Sequence, residues 1–255
     1  MPEKDSNRRA PADGPGRAIR NAWITIPDPY LAEVVASHEA IDAITIDMQH
    51  GFFGRETAVE AIRAASGRGK LAFARLPDAN EALIGFLLDA GASGLIQPGV
   101  ESSGQATALV AASRYPPRGC RSHGPTRAAL PPTAPQPLLF AMIETAAGLK
   151  AVAEIASVEG LDGLFVGPGD LGIALGLGPA QDRLEPEFLA ALNTIVSAAR
   201  RERKLLGIHA TTPAYAQRMW RQGFTLVSVW VDVAAVKRTL TEVEKVWGGS
   251  ASDAM

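Results

Sequence analysis

Two acids, Glu144 and Asp170, each stand just past a short apolar run, in Met-Ile-Glu-Thr and Gly-Pro-Gly-Asp. On neighbouring strand ends their carboxylates would share one rim. There they can ligate a hard divalent cation through oxygen and leave positions open for water and substrate. The competing role for each is to cap the helix that follows. Arg75 closes the run Leu-Ala-Phe-Ala-Arg. A guanidinium in such a place needs an anion. That anion is either a carboxylate of the fold, or a substrate carboxylate or enolate. His50 follows a third run and precedes Gly51. In that loop context it can be a general base, a metal ligand or a surface residue, and Asp47 is close enough in sequence to orient it. His209 and Asp232 end two further runs, while His38 falls in a helical pattern and reads as structural.

The lysines exclude one chemistry. Lys4, Lys70, Lys150, Lys204, Lys237 and Lys245 all lie away from the ends of the apolar runs, and Lys70 and Lys204 precede theirs. A Schiff base needs a lysine buried in the mouth of the site, so carbanion chemistry here would rest on a metal.

The elements that must position these groups follow from hydrophobic pattern. Strand-like runs, mostly continuous rather than alternating, cover Ala22–Ile26, Ala43–Met48, Leu71–Leu76, Gly94–Pro98, Leu138–Glu144, Gly163–Val166, Leu205–His209 and Leu226–Val231. Continuous runs suit strands buried on both faces of a parallel sheet. Helical patterns fall between them at 29–37, 55–66, 79–88, 103–113, 147–157, 186–203, 213–222 and 233–247. Pro29, Pro186 and Pro213 stand where helices begin, and Gly67, Gly91, Gly160 and Gly223 where they stop. Eight β–α alternations in a chain of 255 residues predict an α/β fold, a (β/α)8 TIM barrel. Its chemistry would gather at the C-terminal strand ends, where the acids, histidines and arginine fall. No G-x-G-x-x-G follows the first strand, which weakens a dinucleotide-binding sheet. The loops after strands seven and eight are not glycine-rich, which argues for an unphosphorylated substrate.

The reading divides the chain into a disordered tail at 1–20, one barrel at 21–247 and a loose end at 248–255. The connection Tyr115–Gln136 holds six prolines and is long for a compact domain, as functional or disordered loops are. A formal charge of −2 gives no reason to expect nucleic acid or a membrane surface as partner. The single cysteine, Cys120, allows no intrachain disulfide. No apolar run reaches the length of a membrane span. A soluble, cytoplasmic protein is expected.

Several segments together resemble the HpcH/HpaI aldolases, the family of 4-hydroxy-2-oxoheptanedioate and 2-dehydro-3-deoxyglucarate aldolases. They are ITIDMQHG (44–51), FARLPDAN (73–80), LLDAGASGLIQPGVES (87–102), RYPPRGCRSHGPTRA (114–128), MIETAAGL (142–149) and VEGLDGLFVGPGDLGIALG (158–176). GIHA (207–210) and LVSVWVD (226–232) fit the last strands. The resemblance runs from about Trp23 to Trp247.

By position, the resemblance implies that Glu144 and Asp170 ligate a divalent ion. It makes Arg75 the arginine that holds pyruvate and its enolate, His50 the acid–base histidine, and Asp47 the acid beside it. The N–H groups of Gly167 and Gly169 would receive the pyruvate carboxylate. Asp89 would pair with the catalytic histidine; it ends a helix, so it could meet His50 only across a subunit contact. The chain departs from the family pattern in Gln49 for a glutamate, Met142 for a glutamine and His209 for an apolar residue near the substrate methyl. The segment between Arg127 and Leu138 is shorter and richer in proline.

The implied activity is a metal-dependent class II pyruvate aldolase. It would reversibly cleave a 4-hydroxy-2-oxo acid to pyruvate and an aldehyde. Mg2+ or Mn2+ is the expected ion, with Co2+ or Zn2+ as alternatives, and the expected assembly is a homo-oligomer, trimer or hexamer. The rival readings are an acyl-CoA ester lyase of the malyl-CoA or citramalyl-CoA type and a non-catalytic barrel that binds metal and oxo acid.

Overall fold

The computed structural model describes residues 17–124 and 136–247. Its strands are β1 (Ile19–Ile24), β2 (Ala43–Asp47), β3 (Leu71–Arg75), β4 (Gly94–Gln97), β5 (Leu138–Ile143), β6 (Gly163–Val166), β7 (Leu205–Ile208) and β8 (Leu226–Val231). Each pairs in parallel with the next, and β8 returns to β1, closing a (β/α)8 barrel in sequence order. The helices are α1 (Pro29–Ser37), α2 (Arg55–Gly67), α3 (Glu81–Asp89), α4 (Ser103–Ser113), α5 (Ala146–Lys150), α6 (Val152–Ala156), α7 (Pro168–Ala174), α8 (Pro186–Arg201), α9 (Pro213–Arg221) and α10 (Asp232–Trp247).

The strands form because their apolar residues are covered on both sides, as the continuous runs require. Inside the barrel, Phe73, Phe140 and Phe165 each lie in register with a glycine of the next strand: Gly94, Gly163 and Gly207. A Cβ at any of the three glycines would run into the neighbouring ring. The rings therefore spread sideways into edge-on contacts, 6.1 Å for Phe73–Phe140 and 6.4 Å for Phe140–Phe165. With Trp23 they make a solid floor beneath the C-terminal rim. Burying each ring contributes about 1.5–3 kcal/mol. A second apolar layer lies between barrel and helices.

Helix starts follow side-chain caps. Asp28 accepts from the Tyr30 and Leu31 N–H groups, Asn80 from Leu83, and Thr145 from Gly148. Gly91, Gly160 and Gly223 take positive φ in the turns beyond their helices. Gly67 does not; it is the last residue of α2, and Gly69 makes the left-handed turn instead.

Other expectations shift. β1 begins at Ile19 because that residue pairs with Leu226 across the closing seam. Residues 25–26 leave the ladder, their N–H groups taken by the Asp232 carboxylate at 2.7 Å each. The helix expected over 147–157 breaks at Ala151 into α5 and α6. His38 lies just past α1, with extended backbone and its Nδ1 accepting from the Ala40 N–H. Most of the expected tail, residues 1–16, lies outside the described residues, as do 125–135 of the long connection and the end at 248–255.

The last helix differs from the rest. Asp232 is its one buried residue. Val233, Val236, Leu240, Val243 and Trp247, spaced as one helical face, are all exposed, Leu240 at 61% and Trp247 at 76%. No helix among the described residues is long and apolar enough to cross a membrane.

Candidate active site

At the C-terminal ends of the strands lies a cavity of about 170 Å3, lined on different sides by Asp47, His50, Arg75, Glu144, Asp170 and His209. That is below the ~300–1,000 Å3 usual for drug-sized ligands, so the space suits a small acid. Larger surface hollows exist between α1 and α2 and between α6 and α8, but both lie on the outer helices, away from this rim.

One wall is built on β1, β2 and β3. Asp47 and Arg75 are register partners on adjacent parallel strands, so the last residues of β2 and β3 face the same side. The Arg75 Nε donates to Asp47 Oδ1 at 2.9 Å, and Arg75 Nη2 donates to the other carboxylate oxygen. Trp23 Nε1 donates to Asp47 at 3.1 Å, and the backbone N–H groups of Gln49 and His50 add two more bonds. Burial pushes the Asp47 pKa up, but the Arg75 bond and charge with the other donors outweigh it, and the carboxyl is held below its usual range. The partner of Arg75, left open by sequence, is therefore Asp47, with the guanidinium also lying over the Trp23 ring at 5.1 Å. Asp47 orients His50 through its backbone N–H, leaving the exposed imidazole to face the cavity mouth. The turn behind it needs Gly51, since a Cβ there would strike the Asp47 carbonyl.

The opposite wall comes from β5 and β6. Glu144 follows β5 directly and is buried. Its Oε1 accepts the Gly99 N–H at 2.7 Å, presented by a loop in which Gly99 has φ +60°. Its Oε2 lies against Gly167, where an added Cβ would come within 2.5 Å of it. Burial raises the Glu144 pKa; the Gly99 N–H opposes this, the Asp170 charge adds to it, and Arg75 opposes it, leaving a net rise. Asp170 is in the first turn of α7 and exposed.

The two carboxylates fit a hard divalent cation. They repel each other, offer oxygen donors, and Glu144 is buried with less positive compensation than burial demands. No group of three or more His, Cys, Asp or Glu side chains poised for a metal occurs among the described residues. Two carboxylates with water and substrate completing the shell is a common arrangement for Mg2+.

The turn carrying Asp170 rests on Arg183, which sequence reasoning missed. Among the described residues this arginine is the largest fully buried side chain. Its Nε donates to the Pro168 carbonyl at 3.2 Å, Nη1 to Glu185 at 2.7 Å, and Nη2 to the Gly178 carbonyl. Its guanidinium passes so close to Gly172 that a Cβ there would overlap it. Nothing in the local sequence marks this role, because the contact spans a loop. Trp23, Thr25 and Gln181 also line the cavity. Of these, Trp23 was legible only as an apolar strand residue.

Of the nine expected site residues, Asp47, His50, Arg75, Glu144, Gly167, Gly169, Asp170 and His209 come together around the cavity. The Gly167 N–H turns to the Ile143 carbonyl at 3.4 Å, so Gly167 contributes chiefly through its missing side chain. Gly169 is in the first turn of α7, where amides lack helical partners. Asp89 is not brought in: at the end of α3 it pairs with Arg121. His209 stands edge-on to Trp23 at 4.8 Å. Burial and then the Arg75 charge lower its pKa to about 4, so the ring is neutral at pH 7.

A family model described as HpcH/HpaI aldolase/citrate lyase matches residues 21–238. A hydroxypyruvate/pyruvate aldolase from Rhizorhabdus wittichii is 33% identical, over 89% of this chain and 93% of its own. A 5-keto-4-deoxy-D-glucarate aldolase from Klebsiella pneumoniae is 32% identical, over 84% and 86%. Among solved structures, an HpcH/HpaI aldolase/citrate lyase family protein from Burkholderia cenocepacia superposes with a TM-score of 0.82 at 27% identity, covering 90% of this chain and 94% of that one.

Proposed function

The chain belongs to the HpcH/HpaI aldolase/citrate lyase family, it is an aldolase, and we propose how its residues divide the work. The reaction is reversible cleavage of a 4-hydroxy-2-oxo acid to pyruvate and an aldehyde. One observation carries the assignment of roles: a buried acid beside a second acid, Glu144 and Asp170, faces a guanidinium, Arg75, across a cavity sized for a small acid.

Glu144 and Asp170 would hold a divalent ion, Mg2+ or Mn2+ before Co2+ or Zn2+, which supplies Lewis acidity toward the oxygens of a 2-oxo acid. The Gly169 N–H receives the substrate carboxylate. His50 at the mouth takes the proton of the 4-hydroxyl, directly or through one water. The C3–C4 bond then breaks, the aldehyde leaves, and its electron pair forms the pyruvate enolate. Arg75, fixed by Asp47 and Trp23, stabilises the enolate charge. A proton returned to C3 completes pyruvate. Asp89, far from the cavity of its own barrel, would reach a histidine only in a neighbouring subunit.

The working protein is proposed as a cytoplasmic homo-oligomer of one barrel per chain, residues 21–247. The support for association is α10, whose Val236, Leu240 and Val243 are exposed among the described residues.

The test is NMR exchange of pyruvate methyl protons with deuterated water in the presence of Mg2+ or Mn2+. Exchange is expected, and it should disappear with chelator and in Arg75→Ala. No exchange with any divalent ion tried would leave a non-catalytic oxo-acid binder, or a CoA-ester lyase if CoA is retained tightly.

A further inference from the structure

Gln181 lines the cavity, yet no step described above uses it. It comes from neither a strand end nor a helix but from the loop between α7 and α8. That loop is tied down immediately after it. Asp182 takes a left-handed backbone, φ +53°, which aspartate tolerates better than most residues. Its carboxylate accepts from the Thr211 N–H at 2.8 Å and from the Thr211 and Thr212 hydroxyls at 3.1 and 2.6 Å. Arg183 follows, donating to the Pro168 carbonyl of the turn that carries Asp170, while the Tyr215 hydroxyl donates to the Arg183 carbonyl at 3.0 Å. Two consecutive residues thus moor the loop to α7 on one side and to the β7–α9 connection on the other. Connecting loops are ordinarily free to move; this one is held as a loop that aims a side chain must be.

The side chain is aimed at Gly169. A Cβ there would fall 2.9 Å from Gln181 Nε2, so the carboxamide lies where a side chain at 169 would otherwise stand. Among the described residues no hydrogen bond engages it.

The cavity has a matching need. An ionised carboxylate offers about four lone-pair sites. In the reading above, a 2-oxo acid turns one toward the ion and one toward the Gly169 N–H. Among the described residues the one arginine lining the cavity, Arg75, is bonded to Asp47 on the opposite wall. The donor left beside Gly169 is the Gln181 carboxamide. Being neutral, it bonds the carboxylate without placing a cation beside Glu144 and Asp170, where a cation would compete with the metal.

Resting on the aldolase reading above, we infer that Gln181 is a substrate-binding residue: its Nε2 donates to the C1 carboxylate of the 2-oxo acid and, with the Gly169 N–H, completes the seat for that group. C1 stays on the pyruvate fragment, so the bond is made on binding and kept through cleavage. It stabilises substrate and transition state alike, and its loss appears in KM and not in kcat.

The experiment measures kcat and KM for exchange of pyruvate methyl protons with deuterated water on Mn2+-loaded wild type, Gln181→Met, Gly169→Ala and the double variant. Titration calorimetry gives the Mn2+ affinity of each. Gln181 is exposed at the rim, and methionine keeps its length while removing the donor, so the variant should fold. It should raise KM about tenfold, change kcat less than about twofold and leave Mn2+ affinity at the wild-type value. Gly169→Ala keeps the glutamine but pushes its amide off the turn, so KM should rise in the same direction. The double variant should be no worse than the more impaired single one, as for two residues of one contact. An unchanged KM in Gln181→Met, fully additive effects, or a KM rise that tracks weakened Mn2+ binding overturns this inference and leaves the aldolase standing. Absence of exchange from wild type with every divalent ion tried overturns both.

Discussion

Asp47 and Glu144 are buried acids on facing walls of one cavity, and their surroundings are opposite. Asp47 accepts five hydrogen bonds, two of them from a guanidinium. Glu144 accepts one, from a backbone N–H, and has a second carboxylate for a neighbour. Equal burial would push both pKa values up. Only at Asp47 does the compensation win. The β2–β3 wall is a completed ion pair that fixes Arg75 in place. The β5–β6 wall is short of positive charge. A purely structural barrel would have balanced both.

The largest effect expected from upsetting this contrast is on turnover. Glu144→Ala or Asp170→Ala should reduce metal-dependent proton exchange by about a thousandfold or more, the scale of several kcal/mol of lost charge stabilisation. Full exchange by either variant, or its persistence in chelator, would refute the metal assignment.

Next come stability effects of opposite sign on the two walls, read as the Tm of metal-free protein at pH 7. Asp47→Asn breaks a buried pair and strands the guanidinium, so a loss of about 3 kcal/mol is expected. Glu144→Gln keeps an acceptor for the Gly99 N–H and removes an undercompensated charge, so a gain of about 1 kcal/mol is expected. Their pH dependence also separates. Asp47 has a lowered folded pKa, so its contribution is present above the ordinary aspartate value and is lost as pH falls through the folded one. Glu144 has a raised folded pKa, so proton uptake favours the fold at acid pH, and that contribution is lost as pH rises through the folded value. If both variants shift Tm in the same direction, the contrast between the walls is wrong.

The smallest effect is on the wall's shape. Gly167→Ala sets a methyl 2.5 Å from Glu144 Oε2, and should weaken Mn2+ binding about threefold, measured by titration calorimetry. Unchanged affinity would show that Glu144 moves aside freely.

Much of this was legible in the sequence, and the exceptions share a cause. Continuous apolar runs located all eight strands because burial on both faces leaves no alternation to misread. Prolines located three of the helix starts. What failed was whatever depends on contact across the sequence. β1 was set too late because its first residues are fixed by β8, more than 200 positions away. Arg75 was recognised as needing an anion, but its partner could be chosen only by the β2–β3 register. Arg183 was invisible, since its acceptors are backbone carbonyls around a loop. The roles of Asp89 and the Gly167 amide came from resemblance alone, and the described chain engages both groups elsewhere.

The turn that carries Asp170 is bounded by Gly167 and Gly172, one closed against Glu144 and the other against Arg183. Every missense change of a glycine codon adds at least a Cβ. Neither position therefore has a silent first step in evolution: a substitution at 167 displaces the Glu144 carboxylate, and one at 172 evicts a buried arginine. Lineages that change either glycine must find room for the new Cβ at once. They can depart there only by changing the partner first, so the turn should persist.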